Sequence, residues 1–217
     1  MARKDGEHTR SKILEAACEV FGEKGFRGAT HAEICRRSGV NTALINYHFR
    51  SKEILYVEAW SLAFSKSLEA HPVDGGVPDS APAEERLRGR IFSIVSRVMD
   101  EDNKVFNIVH REMAAPTGLL SKVIHETIDP LRQDMERIIR ELLGAKASEK
   151  DVHLCMMSMM SQCFHPSERR HRHKLMKKNP QGGHCVKIFD FSVQELAEHI
   201  SDFSIAGIKA TRKKTES

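Results

Sequence analysis

Apolar residues recur along most of the chain at spacings of three and four, which is the period of an amphipathic α-helix. In the first such segment, Ile13, Val20 and Phe21 share one helical face. We predict that this helix begins at Thr9 and ends near Gly25. Few segments alternate between polar and apolar residues as β-strands do. The pattern therefore predicts an all-α protein.

The second and third helices are predicted from their capping residues. Thr30 and Glu33 have the spacing of a capping box, in which the threonine hydroxyl accepts from a first-turn amide and the glutamate reaches back. Asn41 or Thr42 can cap a third helix that runs through Phe49. Two short helices joined by a tight turn are the basis of a helix-turn-helix unit.

The remainder of the chain also has helical period. Ser51 can cap a fourth helix that begins at Lys52 and runs toward Leu68. Residues 71–85 contain three of the seven prolines and two glycines, which is the composition of a loop or linker. Further helical segments are predicted at Ala83–Met99, Lys104–Ala115, Gly118–Leu143, Glu149–Phe164 and Val193–Thr211, with Pro130 kinking or restarting the third of these.

The side chains of the second and third helices have the sizes that a helix-turn-helix requires. Cys35 places a small side chain where the helices cross, Gly39 permits a sharp turn, and branched Ile45 holds the next helix at its angle. With Leu44, Ile45 and Phe49 facing inward, the other side of the third helix is predicted to face outward. Its residues are Thr42, Ala43, Asn46, Tyr47 and His48.

This outward surface has the chemistry of a DNA-recognition helix. Asparagine can read adenine edges, and tyrosine and histidine can hydrogen-bond phosphate oxygens. Lys52 adds a positive charge at the N-terminus of the fourth helix, which itself favours phosphate. Spacing alone also fits an ordinary corner between two helices whose polar residues face water.

The charge distribution agrees with a nucleic-acid contact near the N-terminus. Residues 1–52 contain ten Lys/Arg and six Asp/Glu, which accounts for the whole net charge of +4. The remaining residues are balanced, with 24 of each sign. Such an asymmetry indicates that the N-terminal quarter meets a polyanion, although charge alone supports only non-specific attraction.

Residues 9–56, TRSKILEAACEVFGEKGFRGATHAEICRRSGVNTALINYHFRSKEILY, resemble the N-terminal domain of the TetR family of transcriptional regulators. The shared pattern is ILEAA, VFGEKGF, Thr30 with Ile34, SGV, INYHF and SKEIL, in that order. The resemblance implies a three-helix DNA-binding domain, here residues 1–52, and a helical body, here residues 53–217. In the family the body forms a homodimer, and DNA is released when a small molecule enters it.

The same resemblance implies roles for individual residues. The residue matching Thr30 contacts phosphate in the family, and the one matching Lys52 grips the DNA backbone. The residues matching the outward side of the third helix lie in the major groove or against its walls; they are Thr42, Ala43, Asn46, Tyr47 and His48. Asn41 replaces the commoner serine and Ala43 the commoner glycine, and neither change threatens the fold.

A shorter resemblance lies in the predicted body. The segment VHREMAAPTG, residues 109–118, is similar to a stretch in the C-terminal domain of one TetR subgroup, whose members include regulators of drug sensitivity and export. Members continue with an aromatic-rich helix after a Gln-Cys pair. Here Gln162 and Cys163 are followed by a more basic segment, and we expect the helix to break at Pro166.

Two segments of the body are candidates for lining a ligand pocket. The candidate residues are His110, Arg111, Met113, Met156, Met160 and Cys163. The first three lie in an apolar helical run, where polar groups could anchor a ligand or, with Glu112, form an internal ion pair between helices. The last three belong to HLCMMSMMSQCF, whose thioethers could line a pocket or a dimer face, although core packing is the leading interpretation.

The cysteine- and histidine-containing segment, residues 153–185, is a candidate for a metal site. His165, His171, His173 and His184 lie near Cys185, but the surrounding arginines and lysines would repel a divalent cation. The alternatives are a metal site and a solvated basic loop, and we predict the loop. The runner-up function is accordingly a metal- or redox-responsive regulator that uses the C-terminal Cys and His residues.

The sequence contains no motif of a catalytic site or of a phosphate-binding loop, so we predict neither an enzyme nor a cofactor. No run of about 18 apolar residues occurs and the first residues lack a signal-peptide core, so we expect a cytoplasmic protein with no membrane partner. We predict a ligand-responsive regulator, a repressor, that binds a palindromic double-stranded DNA operator as a homodimer. An enzyme with a vestigial helix-turn-helix and a structural nucleoid protein are the rival classes.

Overall fold

The computed structural model describes residues 2–178 and 191–216 and, within these, the side chains of residues 6–166 and 191–216. In the described residues the chain forms nine helices and no β-strand, so the predicted all-α fold is confirmed. The helices are α1 (Ala2–Gly28), α2 (His31–Ser38), α3 (Thr42–Phe49), α4 (Lys52–Ala70), α5 (Ala83–Met99), α6 (Lys104–Ala114), α7 (Ser121–Leu143), α8 (Glu149–Lys178) and α9 (Val193–Glu216). None of these described helices combines the length and the apolar character that a membrane span requires.

The helices form two compact units. Unit 1 comprises Met1–Ala70 and Glu101–Asp129, and therefore contains α1 to α4, α6 and the first part of α7. Unit 2 comprises His71–Asp100 and Pro130–Ser217, and contains α5, the rest of α7, α8 and α9. The domain boundary predicted after residue 52 lies at the start of α4, inside unit 1, and stays a prediction.

Unit 1 is organised around α1, which packs against α2, α4 and α6. Gly22 allows the close approach of α6, since a methyl group at this position would lie only 3.1 Å from Cβ of Asn107. Gly25 has a φ of 68°, so α1 kinks there and continues to Gly28 instead of ending. The helix also begins earlier than predicted, since the polar residues at its start carry no apolar period.

The largest buried side chains in the core of unit 1 are aromatic. Phe21 and Phe26 of α1 contact Tyr56 of α4, with ring centroids 4.7 and 5.2 Å apart. One turn further along α4, Trp60 stacks on Phe64 at 5.1 Å. Such ring pairs contribute about 0.5–1.5 kcal/mol each beyond the burial of their area. The two contacts of Tyr56 therefore fix α4 against α1.

The core of unit 2 is mainly aliphatic. Its buried cluster includes Leu87, Ile91, Ile138, Ile139, Val152, Met159 and Cys163. Two buried arginines of α5 bind carboxylates of α7: Arg86 contacts Glu141 at 2.5 Å and Arg90 contacts Asp134 at 2.8 Å. Because an unpaired buried charge is costly, these ion pairs also fix the position of α5 against α7.

The two prolines within helices have different consequences. α7 continues through Pro130, and the division between the two units falls at this residue. The prediction that a helix breaks at Pro166 is wrong, because α8 continues through this proline to Lys178. A proline lacks one N–H and disturbs one turn, and the helix-favouring Glu, Arg and Lys residues that follow allow the helix to resume.

Glu112 of α6 joins three parts of unit 1. Its carboxylate accepts hydrogen bonds from the Tyr56 hydroxyl of α4 at 3.0 Å and from the Thr117 N–H and hydroxyl, both at 2.8 Å. The Gly118 N–H donates to the same carboxylate at 3.0 Å. An internal ion pair was one of the expectations for this cluster. The structure shows Glu112 as a hydrogen-bonded carboxylate that links α4, α6 and the loop after α6, and the ion pair stays a prediction.

These hydrogen bonds set the protonation of Glu112. Burial alone would raise the pKa of this carboxyl, but hydrogen bonds from Thr117, Tyr56 and Gly118 favour the ionised form and lower the pKa below its usual value. A carboxyl whose pKa is lower in the folded than in the unfolded chain stabilises the fold above the unfolded pKa, about 4.3. That stabilisation is lost as pH falls through the folded pKa.

We expect Glu112→Gln to lower the free energy of unfolding by about 1–3 kcal/mol at pH 7, because hydrogen bonds to a charged acceptor are weakened. The deficit should shrink as the pH falls below about 4.3, where the wild-type carboxyl also becomes protonated. Urea denaturation at a series of pH values measures both effects.

Glu126→Gln is the matched control, because Glu126 is an exposed residue of the same unit whose partner Lys122 lies 3.8 Å away. An exposed pair of this kind contributes about 0–1 kcal/mol. A deficit for Glu112→Gln that stayed constant between pH 7 and pH 3 would show that the ionised form is not what stabilises this region.

Candidate nucleic-acid interface

The start of α2 is fixed by Thr30, whose hydroxyl accepts a hydrogen bond from the Glu33 N–H at 3.2 Å. The second half of the predicted capping box is not formed. The Glu33 carboxylate binds Arg36 at 2.9 Å and Arg37 at 3.0 Å, since these two cations lie one turn further along the same helix. Hydrogen bonds from both arginines lower the pKa of Glu33 to about 2. Thr30 itself is exposed, as its predicted phosphate contact requires.

The turn between α2 and α3 has the predicted composition. Gly39 has a left-handed φ of 71°, and its N–H donates to the Cys35 carbonyl at 2.9 Å, which ends α2. The Cys35 sulfur lies 3.5 Å from the Thr42 hydroxyl, so the small side chain lets α2 and α3 meet. Ile34 and Ile45 are fully buried beneath the turn. The two helices are therefore held together by apolar burial and a turn that favours glycine.

Arg37 stabilises α2 and α3 from the side that faces α1. Its guanidinium donates to the Glu23 carboxylate of α1 at 2.6 Å while also contacting Glu33. The hydrogen bond from Arg37 is the main cause of the lowered pKa of Glu23. The bidentate contact thus ties α2 to α1 and leaves the other side of α2 and α3 open.

The outward side of α3 is largely as predicted. Asn41 caps the helix, with its side-chain oxygen accepting from the Leu44 N–H at 3.0 Å. Thr42, Ala43, Asn46 and Tyr47 are exposed, with Tyr47 at 79%, while His48 is half-buried. The structure therefore brings the predicted recognition residues of α3 together on one accessible surface.

Leu44 was expected to face the core, and this prediction is wrong: its side chain is 37% exposed. The inward face is formed by Ile45 and Phe49, which are four residues apart and each 1% exposed. Leu44 lies three residues before Tyr47 and so shares the outward face. An apolar residue there is suited to contact with a thymine methyl group.

Lys52 begins α4 beside the recognition helix. The Ser51 hydroxyl accepts from the Ile54 N–H at 3.3 Å and caps α4, as predicted. The Lys52 ammonium lies 4.6 Å from the centroid of the Phe26 ring, in a cation–π contact. Burial lowers the pKa of Lys52. The charge is thus held at the N-terminus of α4, where its predicted phosphate contact would be made.

The six predicted ligand-binding residues lie in two units. In unit 1, His110 is half-buried, Arg111 is exposed and lies along Gly25, and Met113 is 72% exposed. In unit 2, Met156 and Cys163 belong to the buried core and Met160 packs against it. A ligand pocket formed by these residues stays a prediction, and the leading interpretation of the methionine-rich helix, core packing, agrees with the burial of two of the three.

A groove that the sequence pattern does not predict lies between α8 and α9 in unit 2. It has a volume of about 240 Å³. The residues that line it include Leu154, Cys155, Met159, Gln162, Phe203 and Ile208. Four of these lie in the methionine-rich segment, whereas the α9 wall of the groove could be recognised only once the two helices were placed side by side.

The two described thiols of unit 2, Cys155 and Cys163, remain protonated at neutral pH. Burial raises the pKa of Cys163 to about 12 and also raises the pKa of Cys155. Within the described residues, no three His, Cys, Asp or Glu side chains are grouped for a metal ion. The side chains of His171 and His173, and the whole of His184 and Cys185, lie outside the described part of the chain, so the metal- and redox-responsive alternative stays a prediction.

The family comparisons agree with this geometry. The model of "Bacterial regulatory proteins, tetR family" matches residues 13–59, which include α2, α3 and the start of α4. The model of "HTH-type transcriptional dual regulator CecR, C-terminal domain" matches residues 83–208, more than half of the chain. The two matches cover both segments in which a resemblance was recognised from sequence.

Individual proteins give the same result. The HTH-type transcriptional dual regulator CecR of Shigella flexneri is 28% identical over 158 residues, which cover 66% of this chain and 69% of the relative. The HTH-type transcriptional regulator SrpR of Pseudomonas putida is 26% identical over 145 residues, 64% of this chain and 65% of the relative. A TetR-like transcriptional regulator from Rhodococcus sp. RHA1 has the same fold, with a TM-score of 0.67, 15% identity and coverage of 92% of this chain and 95% of that one.

Both family models describe transcriptional regulators, and the two relatives named above are transcriptional regulators. The chain accordingly regulates transcription by binding DNA and is not an enzyme. The capped and exposed α3, the turn at Gly39 and the two matched domains lead to one assignment: the chain belongs to the TetR family of transcriptional regulators, with a C-terminal domain of the CecR type.

Proposed function

We propose that this protein is a repressor that binds a palindromic operator as a homodimer and is released from it by a small molecule. The observation that carries the DNA-binding part is the exposed row of Asn46 and Tyr47 on α3, a helix that is capped by Asn41 and packed through Ile45. A rigid, outward-facing helix of this kind can enter the major groove, where an asparagine can pair with adenine.

The dimer is proposed from the apolar surface of α8 and α9. Leu154, Met157 and Phe164 recur along α8 at helical spacing and are 44, 53 and 36% exposed. On α9, Phe203 is 63% exposed. Contiguous exposed apolar surface on two long helices is typical of an interface. A second copy of the same two helices would bury it in a two-fold symmetric contact.

The proposed release mechanism is a shift between two conformations. A small molecule that binds the C-terminal helical domain more tightly in a conformation unable to fit two major grooves lowers the population that can bind DNA. The shift cannot exceed the difference in its affinity for the two conformations. The resemblance of the body to regulators of drug sensitivity suggests organic antibiotics as the first compounds to test.

The Shigella flexneri relative is named a dual regulator. This name supports a second candidate function for the present chain, activation of some promoters in addition to repression of others. Transcription from the neighbouring promoters, measured with and without the protein, separates the two. Increased transcription from any directly bound promoter would favour the dual function.

A footprint on the DNA upstream of the gene tests the proposal as a whole. Two protected half-sites should appear with their centres about 34–36 Å apart, the separation of successive major grooves on one side of the duplex. Addition of compounds from an antibiotic panel should remove the protection in at least one case. Protection that covers random DNA equally would favour a nucleoid protein instead.

Asn46→Ala should relax base preference, because an asparagine that pairs with a base edge contributes about 1–3 kcal/mol of discrimination. Tyr47→Ala should weaken binding to all sequences by about 0.5–1.5 kcal/mol, as expected for loss of a phosphate hydrogen bond. Fluorescence anisotropy with the footprinted duplex and a scrambled duplex measures both. Equal losses on the two duplexes for Asn46→Ala would remove its proposed role in reading sequence.

Phe203→Glu should convert the dimer to a monomer, because a carboxylate would be buried in an apolar contact. Sedimentation velocity measures the change in mass, and affinity for the footprinted duplex should fall with it. Gln133→Glu is the control, since it adds the same charge at an exposed position of α7. A Phe203→Glu protein that still sedimented as a dimer would place the interface elsewhere.

A further inference from the structure

The link between α3 and α4 contains a backbone conformation that its residue disfavours. Arg50 has a φ of 56° and a ψ of −40°, and it is the only non-glycine residue with positive φ in the described part of the chain. The Ser51 N–H donates to the Phe49 carbonyl at 2.5 Å. Together these features form a γ-turn of the rarer, positive-φ kind, which is strained for a residue with a side chain.

A glycine would adopt this turn without the strain, so the arginine needs another explanation. Six glycines in the described residues already have positive φ, including Gly39 at the preceding turn. Strained residues are concentrated at functional sites, where the side chain contributes something that a relaxed residue would not. The side chain of Arg50 is the feature to be explained.

Among the described residues, the Arg50 side chain has no partner that accounts for its presence. In the described residues no carboxylate lies within 4.0 Å of it, and it is exposed. Other cations in α1, α2 and α4 are paired with glutamates; they are Arg10, Lys24, Arg36, Arg37 and Lys66. Arg50 is thus an unpaired guanidinium where most neighbouring cations are neutralised.

Its position places this guanidinium beside the recognition surface. The Arg50 N–H donates to the Asn46 carbonyl at 3.0 Å, so its Cα occupies the next position on the α3 helix. That position is four residues after Asn46 and three after Tyr47, on the same face. Two residues later the chain enters α4 at Lys52, and the N-terminus of α4 favours phosphate.

We propose that Arg50 is a further DNA contact, which binds a backbone phosphate at the edge of the groove entered by α3. A guanidinium matches a phosphate with two parallel N–H donors, and such contacts position a protein on the duplex without reading its sequence. The strained turn holds the side chain between the recognition helix and the start of α4. This proposal rests on the proposed DNA-binding surface and extends it by one residue.

Two variants separate the charge of Arg50 from its backbone strain. Arg50→Gly removes the charge and relieves the turn, whereas Arg50→Gln removes the charge and keeps the positive φ for a residue with a side chain. Both should weaken binding to a 30-base-pair duplex of arbitrary sequence and to the footprinted duplex by the same factor. Arg50→Gly alone should raise the Tm, by about 2–4 °C for each kcal/mol of relieved strain.

The dependence of affinity on salt identifies a phosphate contact. For both variants, the slope of log K against log salt concentration should fall by about 0.9 for each Arg50 that engages the duplex. Arg50→Lys should keep the wild-type slope, because it keeps the charge. The control is Lys150→Gln, which removes one charge at an exposed position of α8 in unit 2 and should leave the slope unchanged.

Thermal melts of each variant accompany the titrations, so that loss of folding is distinguished from loss of a contact. Wild-type binding with an unchanged slope in Arg50→Gly and Arg50→Gln would overturn the proposed role of Arg50 and leave the proposed function standing. Loss of affinity without a change of slope would also overturn it, since the side chain would then act on the shape of the turn. Failure of the wild-type protein to bind either duplex would overturn both proposals.

Discussion

The packing of α2 against α3 is the contact on which the proposed DNA-binding surface depends. Ile34 and Ile45 are buried between these helices and α1, and the left-handed Gly39 sets the angle at which the chain returns. Each helix has only eight residues, which is too short to be stable in isolation. The stability of both helices therefore depends on tertiary burial. This burial covers one side of α3 and leaves the other side exposed.

The structure extends this constraint into the rest of unit 1. The bidentate contact between Arg37 and Glu23 ties α2 to α1, and the aromatic pairs of Tyr56 tie α4 to the same helix. Glu112 then binds the Tyr56 hydroxyl and so connects α6 to α4. The recognition helix is thus supported by a continuous set of contacts that ends in the segment resembling the CecR-type domain. In the structure, Glu112 of this segment links α4, α6 and the loop after α6.

Features that depend on local chemistry were predictable from the sequence. The helical period predicts the all-α fold, and the caps at Thr30, Asn41 and Ser51 predict the starts of α2, α3 and α4 within a residue. The outward position of Asn46 and Tyr47 follows from the burial of Ile45 four residues before Phe49.

Features that depend on contacts with residues distant in sequence or on the choice between competing partners were less predictable. Leu44 is apolar yet exposed, and the Glu33 carboxylate binds nearby arginines instead of its own cap. The groove between α8 and α9 and the turn at Arg50 have no periodic signal at all.

Unit 1 is built from two separate segments of the chain, which limits how DNA-binding segments can be exchanged between relatives. Unit 1 is completed by Glu101–Asp129, a segment that lies well beyond α4 in sequence, and Gly22 of α1 leaves room for Asn107 of the helix that this segment provides. A chimaera that exchanged only the first 52 or 70 residues with those of a relative would join an α1 shaped for one α6 to an α6 from another protein. We therefore expect operator specificity to be exchanged between relatives in one of two ways. Either only surface residues of α3 are replaced, or the graft carries α6 together with α1 to α4.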